Sequence, residues 1–349
     1  MLSKSTGGRG LLGVLVLAFA ALICPNVQAI ICHTDHEPPA GWSGGVDPNV
    51  VGKWTYNGST FNASFVVISP NWIITTRHQS TNATQVTING TTYDCNTSRI
   101  GGPTGKVDMR LIRLKKTDGN DPELTTYCPI YEGSNEADKE IVIGGWGRGR
   151  GANLTTNGVI YGYQWAETSS AALRWCTNII DSTLDHTAPN GDPNNNLIVA
   201  DFDGPTIGTE FEGIPAEYDS GGGWFIFDNG KWKLAGLTRG VEHLGEAWFS
   251  KKTDPQISDP DTMVAIWISS YAAWINSIIK QNLDGDLNSD NKVDLADYAL
   301  LAQWWLDDCG VTGNLRNGWC GGADINTSGQ VNYDDLVYII DEWLSDIWL

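Results

Sequence analysis

Short runs of alternating apolar and polar residues occupy most of the chain between about residues 50 and 245. Clusters of Gly, Asn, Asp and Pro separate these runs, as turns separate strands. Alternation with a period of two is typical of strands that bury one face. The pattern predicts strands at residues 61–68, 72–76, 109–114, 141–143, 224–227 and 231–237. Many short strands with glycine-rich turns indicate an all-β fold, either a barrel or a sandwich.

Two further features are predicted beside these strands. Residues 147–215 are rich in Asn, Gly, Thr and Pro, which predicts long surface loops. In residues 265–279 the side chains of Trp267, Tyr271, Trp274 and Ile278 recur at helical spacing, which predicts one amphipathic helix. A β domain closed by this helix is a coherent unit that ends near residue 282.

The tail, residues 283–349, differs in composition and repeats itself. It holds 13 acidic residues and only two basic ones, Lys292 and Arg316. A fixed period across several positions indicates a duplicated unit. Five residues recur 38 positions later: Asp286, Asn288, Asp297, Trp305 and Leu306 are matched by Asp324, Asn326, Asp335, Trp343 and Leu344.

Each repeat contains a 12-residue loop whose oxygen-bearing side chains have the spacing of an EF-hand calcium loop. We call residues 286–297 loop 1 and residues 324–335 loop 2, and a helical run follows each, at 298–306 and 336–344. Loop 1 offers four carboxylates and loop 2 only two, so we expect weaker calcium binding at loop 2. The predicted ligands are Asp286, Asn288, Asp290, the carbonyl of Lys292, Asp294 and Asp297 in loop 1, and Asp324, Asn326, Ser328, Gln330, Asn332 and Asp335 in loop 2.

A paired loop–helix repeat of this kind resembles a dockerin, the calcium-folded module that docks onto cohesin domains. The resemblance implies two Ca²⁺ sites and a cohesin-like partner. The linker between the repeats, which carries Cys309 and Cys320, is longer than the usual dockerin pattern. An acidic, solvated tail with accidental spacing is the alternative, although the repeat and the ligand positions agree independently.

The first 29 residues have the pattern of a secretion signal. Lys4 and Arg9 precede an apolar run at 11–23, and the small residue Ala29 suits cleavage. The apolar run is too short to span a bilayer, so a secreted or partner-attached cell-surface protein is expected rather than a membrane-spanning one. A lipid anchor at Cys24 is the alternative. The formal net charge of −19 argues against nucleic acid as a partner.

Six cysteines remain after signal removal, and an even number in an exported chain favours disulfides. No Cys-x-x-Cys pair is present, which argues against zinc. Cys309 and Cys320 are expected to pair within the tail. The connectivity of Cys32, Cys95, Cys128 and Cys176 stays open.

Three segments carry candidate catalytic chemistry: residues 72–78, 108–114 and 218–222. They place His78, Asp108 and Ser220 beside predicted strands, in the chain order His, Asp, Ser. A serine hydroxyl becomes a good nucleophile when an imidazole takes its proton and a carboxylate orients that imidazole. These three residue types are therefore the minimum set for acyl transfer.

Residues 42–282 resemble a trypsin/chymotrypsin-type serine protease. Five landmarks occur in the family's order: 72–78, 108–114, the Gly-Trp-Gly at 145–147, the Asp-Ser-Gly-Gly at 219–222, and the closing segment 269–275. The resemblance implies an all-β double β-barrel over 30–282 with a C-terminal helix, followed by the small α-helical, EF-hand-like dockerin module over 283–349. It also implies cofactor-free hydrolysis of protein or peptide substrates.

The resemblance assigns roles residue by residue. Ser220 is the nucleophile, His78 the general base and Asp108 the residue that orients it. The backbone N–H groups of Tyr218 and Ser220 form the oxyanion hole. The substrate cleft is expected to include Ile214, Thr238, Arg239 and Gly240. Because Ile214 offers no carboxylate to a basic side chain, an apolar or small residue is expected before the cut.

The sequence departs from the family at several of these positions. Tyr218 stands where the family has Gly, and Arg239 replaces an aromatic residue. No Lys or Arg lies between Ile30 and Lys53 for a tryptic activating cut. Asp219, which pairs with a freed N-terminus in the family, is therefore satisfied either by the mature end after Ala29 or by another group.

Two other functions compete with a secreted endopeptidase. One is a catalytically impaired protease-fold protein that acts as a binding component through its tail, which the Tyr218 departure and the missing activation site favour. The other is a polysaccharide-degrading enzyme. The only support for this hypothesis is that dockerins often accompany enzymes of that class. It ranks last because no recognisable pair of sugar-cleaving carboxylates is present.

Overall fold

The computed structural model describes residues 30–55, 62–78, 83–117, 122, 124–186, 195–279, 285–288, 292–309, 318–326 and 328–343. The predicted signal segment 1–29, the boundary near residue 282 and the loop 1 residue Asp290 lie outside the described residues. Within the described residues no helix has the length and apolar content needed to cross a bilayer.

The described chain is mostly β. In chain order its strands are β1 Ile31–Cys32, β2 Val51–Thr55, β3 Asn62–Ser69, β4 Trp72–Thr75, β5 Gln85–Ile88, β6 Thr91–Gly101, β7 Arg110–Lys116, β8 Glu140–Gly145, β9 Arg150–Thr156, β10 Val159–Trp165, β11 Arg174–Ile179, β12 Ser182–Leu184, β13 Leu197–Asp201, β14 Gly213–Ile214, β15 Gly223–Asp228, β16 Lys231–Val241, β17 Glu246–Trp248, β18 Ser250–Lys251, β19 Asp254–Ser258 and β20 Thr262–Trp267. Its helices are α1 Ala272–Ile279, α2 Leu295–Gln303, α3 Gly318–Gly321 and α4 Tyr333–Asp341.

Two barrel-like sheets organise the part before the tail. Six strands form the first sheet in the order β2-β3-β4-β7-β6-β5, and seven form the second in the order β11-β8-β15-β16-β20-β13-β12. The pairings within both sheets are antiparallel, as in β3 with β4 and β15 with β16. This arrangement confirms the predicted mostly-β fold at the level of barrel-like sheets.

Each sheet encloses an apolar core, and a third core joins them. Trp54 and Phe65 are among the side chains inside the first sheet, whereas Trp224 and Phe202 pack inside the second. The joining core combines Ile74 and Leu111 of the first sheet with residues of β15, β16, β20 and α1. The junction between the sheets is therefore a tightly packed support for any site placed there.

The helix predicted at 265–279 is wrong in its first half. Residues Thr262–Trp267 form β20, a 3₁₀ turn covers Ser269–Tyr271, and α1 begins only at Ala272. Periodicity alone does not distinguish a short apolar run in a strand from one in a helix. Strands β13 and β16 flank β20 on both sides and supply its backbone partners, which decides the conformation.

The loops predicted for 147–215 are also wrong in large part. This segment contains β9 to β14, of which β9 and β10 form a hairpin whose strands are joined at Asn157-Gly158. Asn157 and Gly158 both have positive φ, at 53° and 79°. An Asn-Gly pair of this kind is a strong hairpin signal, and it was available in the sequence.

In the tail, α2 and α4 each begin three residues before the predicted positions. Asp294 and Asn332 are the N-caps, and the residue three positions later closes a capping box in both cases. The last residues of each acidic loop therefore form the first turn of the following helix.

The predicted disulfide between Cys309 and Cys320 is confirmed. Cys32, Cys95, Cys128 and Cys176 are buried and are not joined in disulfides. The thiols of Cys32 and Cys176 lie within hydrogen-bonding range of each other, between β1 and β11.

Candidate active site

His78 and Asp108 form a directly bonded pair at the edge of the first sheet. His78 Nδ1 lies 2.6 Å from Asp108 Oδ2. The other carboxylate oxygen accepts the backbone N–H groups of His78 at 2.8 Å and Arg77 at 3.0 Å. Because three donors fix the carboxylate, the imidazole is held in one orientation with its second nitrogen, Nε2, on the far side of the ring.

Strand pairing brings these two residues together across 30 positions of sequence. His78 follows the end of β4, Asp108 precedes β7, and β4 and β7 pair in antiparallel register from Trp72–Arg113 to Thr75–Arg110. The Asp108 backbone N–H also donates to Asn195 Oδ1 at 2.7 Å, which links the pair to the segment before β13.

The charge on Asp108 is favoured despite its partial burial. Burial raises the pKa of this carboxyl, but the hydrogen bonds and charge of His78, together with the charge of Arg239, outweigh it. The pKa of Asp108 therefore lies below its ordinary value, and the group is an anion at neutral pH. An anion in contact with Nδ1 stabilises the imidazole when the ring takes up a proton.

The turn that carries Ser220 crosses the junction between the sheets. The Ser220 carbonyl accepts the N–H of Ser64 on β3 at 2.9 Å, and the Gly221 N–H donates to the Thr238 carbonyl on β16 at 2.9 Å. Thr75, three residues before His78, donates its hydroxyl to the Ser64 carbonyl at 2.7 Å. Ser220 thus lies beside β3, and β3 pairs with β4, the strand that continues to His78.

Gly221 permits this close approach of the turn to the first sheet. Its φ is +83°, and a Cβ at this position would lie 2.2 Å from the Ser64 carbonyl oxygen and 2.4 Å from Thr75 Oγ1. Any other residue would push the Ser220 turn away from β3 and β4.

The backbone around Ser220 is arranged to present an N–H group. Within the described residues the Ser220 N–H donates to no protein acceptor, and Ser220 itself is half-buried. Tyr218 has φ +78°, the left-handed conformation that glycine adopts easily, and its carbonyl accepts the Ser64 hydroxyl at 3.2 Å. The chain therefore keeps a glycine-like conformation at Tyr218 at the cost of strain.

We expect Tyr218→Gly to be more stable than Tyr218→Ala by about 1 kcal/mol, because only glycine adopts a positive φ without strain. Both variants remove the phenol, so lost side-chain contacts cancel in the comparison. Urea unfolding of the two full-length variants measures the difference. Equal stability, or a more stable Ala variant, would show that the left-handed conformation is not required there.

Asp219, next to Ser220, is a completely buried carboxylate. It accepts the N–H groups of Gly147 at 2.6 Å and Ala216 at 2.8 Å, and the backbone N–H of Ile30. Burial raises the pKa of Asp219 to about 7, against these hydrogen bonds and the charge of Arg174. A buried carboxylate of this kind is stabilised by a cationic partner.

The Gly-Trp-Gly segment is explained by this carboxylate. A Cβ on Gly145 or Gly147 would lie within 2.3 Å of a carboxylate oxygen of Asp219. Between the two glycines, Trp146 donates its backbone N–H to Ser64 Oγ at 2.8 Å and its indole N–H to the Val51 carbonyl at 3.1 Å. The segment therefore makes room for Asp219 and joins it to the first sheet.

The four residues predicted for a substrate cleft have different surroundings. Ile214 is 1% exposed and pairs with Ile31 in the short β1–β14 sheet, so its side chain belongs to the core. Thr238 is buried and its hydroxyl accepts the Trp224 indole N–H at 3.0 Å. Arg239 and Gly240 are half-buried, and Arg239 Nε lies 3.5 Å from Asp108 Oδ2.

The two acidic loops of the tail share one hydrogen-bonding pattern. Asp297 accepts the N–H groups of Asn288 at 3.1 Å and Asp294 at 2.9 Å. In loop 2, Asp335 accepts the N–H groups of Asn326 at 3.1 Å and Asn332 at 2.9 Å. Positions that match in the sequence repeat therefore also match in space.

Three predicted ligands of these loops are buried carboxylates. Asp297, Asp324 and Asp335 are each at most 2% exposed. Both oxygens of Asp324 accept backbone N–H groups, from Ser328 at 2.9 Å and Gly329 at 2.8 Å. Buried carboxylates whose recorded partners are neutral amides fit a cation, which would supply the missing positive charge.

No group of three or more His, Cys, Asp or Glu side chains is placed to hold a metal ion within the described residues. At its predicted ligand positions loop 2 has only two such side chains, Asp324 and Asp335, and its other predicted ligands, Asn326, Ser328, Gln330 and Asn332, are amides and a hydroxyl. In loop 1, Asp286, Asn288, Lys292, Asp294 and Asp297 are described.

Sequence reasoning missed several residues that build the site. Ser64 holds both Ser220 and Trp146, Thr75 holds Ser64, and Asn195 holds Asp108. Ser64 and Thr75 are polar residues next to the apolar runs of β3 and β4, which was the one available signal. Neither the scan against protein-family models nor the search of curated proteins found a match to this chain.

Proposed function

We propose that residues 30–282 form a serine endopeptidase that hydrolyses peptide bonds with His78, Asp108 and Ser220. The observation that carries the proposal is the His78–Asp108 pair beside the turn of Ser220. Asp108 fixes Nδ1 of the ring at 2.6 Å. The Ser220 carbonyl bonds to Ser64 on β3, which pairs with β4, the strand that leads to His78. The likeness of five ordered sequence landmarks to trypsin-like proteases supports the same chemistry.

The proposed mechanism assigns one task to each residue. His78 takes the proton of the Ser220 hydroxyl as the oxygen attacks the acyl carbon, and later returns it to the leaving amine. Asp108 remains ionised and stabilises the imidazolium. The N–H groups of Ser220 and Tyr218 receive the negative charge that develops on the carbonyl oxygen, an effect worth about 3–4 kcal/mol per donor.

The proposal includes activation by removal of the first 29 residues. The Ile30 N–H already bonds to Asp219, and Ile30 is only 1% exposed. While the Ala29–Ile30 bond is intact, Ile30 has φ 53°, which is an outlier for a β-branched residue. Cleavage there relieves that torsion and replaces the amide with an ammonium group that pairs with Asp219.

A quenched-fluorescent peptide library tests the proposal. The chain that begins at Ile30 should release fluorescence with peptide-bond cleavage confirmed by mass spectrometry, and the Ser220→Ala chain should not. A folded, calcium-loaded chain that cleaves no member of the library would favour the second candidate function.

The second candidate is a protease-fold binding protein without activity. Two observations favour it: the strained Tyr218 beside the nucleophile and the Arg239 guanidinium next to Asp108. If Tyr218 left its strained left-handed conformation, the N–H groups of the turn would change direction and the oxyanion hole would be weakened. The second places a positive charge beside the carboxylate that must stabilise an imidazolium.

We further propose that residues 283–349 are a dockerin-like module that binds two Ca²⁺ ions and docks onto a cohesin-like domain. The support is the 38-residue repeat, the matched hydrogen bonds of Asp297 and Asp335, and the buried carboxylates. Such a module, on an exported protein, would hold the enzyme on a scaffold or cell surface.

The two calcium sites should differ in affinity. Loop 1 brings four carboxylates to the cation and loop 2 brings two, so we expect loop 1 to bind calcium at least tenfold more tightly. Calorimetric titration of the calcium-free full chain, alone and with Asp286→Ala or Asp324→Ala, assigns the two steps. An equal or tighter site in loop 2 would contradict this ranking.

A further inference from the structure

Arg239 occupies an irregular position in the second sheet. In the pairing of β16 with β20, Thr238 lies opposite Ala265 and Gly240 lies opposite Val264, so Arg239 is an extra residue on β16. This is a β-bulge, a feature that turns a side chain out of the regular ladder and is frequent beside active sites. Here it brings the Arg239 guanidinium to the first sheet, 3.5 Å from Asp108 Oδ2.

The guanidinium is poorly satisfied in this position. Nε is buried and makes no hydrogen bond within the described residues, although it lies in ion-pair range of Asp108. Asp108 already accepts three stronger hydrogen bonds, from His78 Nδ1 and from the backbone N–H groups of His78 and Arg77. An arginine has five N–H donors, arranged in a fork that matches the two oxygens of a carboxylate. Most of the N–H donors of Arg239 therefore remain to bind another anion.

Arg239 is also adjacent to the nucleophile turn. Its neighbour Thr238 exchanges two backbone hydrogen bonds with that turn, from Gly221 at 2.9 Å and to Gly222 at 2.8 Å. The Arg239 side chain is 38% exposed, so a substrate in the cleft can reach it. In a chain with a net charge of −19, a half-exposed cation beside Asp108 can favour an anionic group on the substrate over a neutral one.

We propose that Arg239 is a specificity-determining residue that binds a carboxylate of the substrate, so the enzyme prefers peptides with an acidic side chain close before the scissile bond. This inference rests on the proposed endopeptidase function and names its substrate class. A substrate carboxylate accepts hydrogen bonds from the guanidinium of Arg239 and draws it away from Asp108. In a substrate with a neutral side chain there, the guanidinium stays beside Asp108.

Matched fluorogenic tetrapeptide amides test the proposal. Pairs that differ only by Glu or Gln at each of the four positions before the cut are compared by kcat/KM at low salt, using the chain that begins at Ile30. We expect at least a tenfold preference for Glu at one position, falling as sodium chloride is raised. Arg239→Gln should reduce that preference to within twofold, and Arg239→Lys should retain part of it.

Lys231→Gln is the matched control, because it removes one positive charge from the exposed first residue of β16, the strand that carries Arg239. It should keep the full preference for Glu. Fluorophosphonate labelling of Ser220 in the unsubstituted chain separates the two possible failures. A labelled enzyme without a Glu preference, or one that keeps it in Arg239→Gln, overturns the role of Arg239 alone. An unlabelled enzyme overturns the proposed function and this inference with it.

Discussion

Ser220→Ala and His78→Ala should each lower kcat for peptide hydrolysis by about 10⁴–10⁶-fold, with little effect on KM. In the proposed mechanism each substitution removes one half of a single proton-transfer unit, because the hydroxyl would be activated only by the ring. Asp108→Asn should lower kcat by about 10⁴-fold, since it leaves the ring without the anion that fixes Nδ1. Stopped and continuous assays with one peptide that the enzyme cleaves measure kcat and KM for all three variants.

A double variant tests whether Ser220 and His78 act together, which the kcat values of the single variants do not show. The Ser220→Ala/His78→Ala double variant should be no slower than either single variant, because the remaining partner has no task once the other is gone. Ser258→Ala, at the exposed end of β19, is the control and should leave kcat unchanged. Losses that multiply in the double variant would mean that the two residues act separately.

A single additional residue before Ile30 should reduce kcat/KM by at least 100-fold. The chain that begins at Ile30 presents an ammonium to the buried Asp219 carboxylate, whereas a chain that begins at Ala29 presents a neutral amide. Leaving a buried charge without its partner costs about 3–5 kcal/mol, enough to displace the adjacent Ser220 turn. Peptide hydrolysis by the two purified chains measures the effect, and Asp219→Asn in the Ile30 chain should reproduce the loss.

The same pair of chains should differ in the pH dependence of unfolding. With the amide in place, burial raises the pKa of Asp219 to about 7, so the folded state keeps a proton that the unfolded state loses near pH 4. Stability then falls as pH rises between these values, by up to about 4 kcal/mol. In the Ile30 chain the ion pair keeps Asp219 ionised. The contribution of the ion pair is therefore present through neutral pH. It is lost at the alkaline end as the α-amino group deprotonates, above about pH 8, and at the acid end as Asp219 takes up a proton, below about pH 4.

Urea unfolding between pH 4 and pH 9 distinguishes these two profiles. Asp254→Asn, an exposed carboxylate on β19, is the control and should leave both profiles unchanged. Identical profiles for the Ala29 and Ile30 chains would contradict a pairing of the N-terminus with Asp219.

The sequence was most informative in short segments that combine reactive residue types with a strand pattern. The motifs around His78, Asp108 and Ser220 could be located because each combines a reactive side chain with a strand pattern. The structure then brings His78 and Asp108 into contact through the pairing of β4 with β7. The disulfide between Cys309 and Cys320 was predictable because the two lie close together in the tail.

Other features depend on contacts between distant parts of the chain. Ser64 and Asn195 hold the site through bonds over 82 and 87 positions, and a local pattern does not show which distant group such a polar residue will bond. The conformation of residues 265–267 is set by the neighbouring strands β13 and β16, whose pairing overrides the helical spacing of the aromatic residues. The bulge at Arg239 is likewise visible only after the register of β16 and β20 is known.

The central claim is that the ring of His78 activates the hydroxyl of Ser220. Treating the calcium-loaded chain that begins at Ile30 with a fluorophosphonate, followed by peptide mapping, tests it most directly. We expect one adduct per chain, on Ser220, and at least a 100-fold slower reaction in His78→Ala. A folded chain that forms no adduct on Ser220, or that forms it equally fast without His78, would contradict the claim.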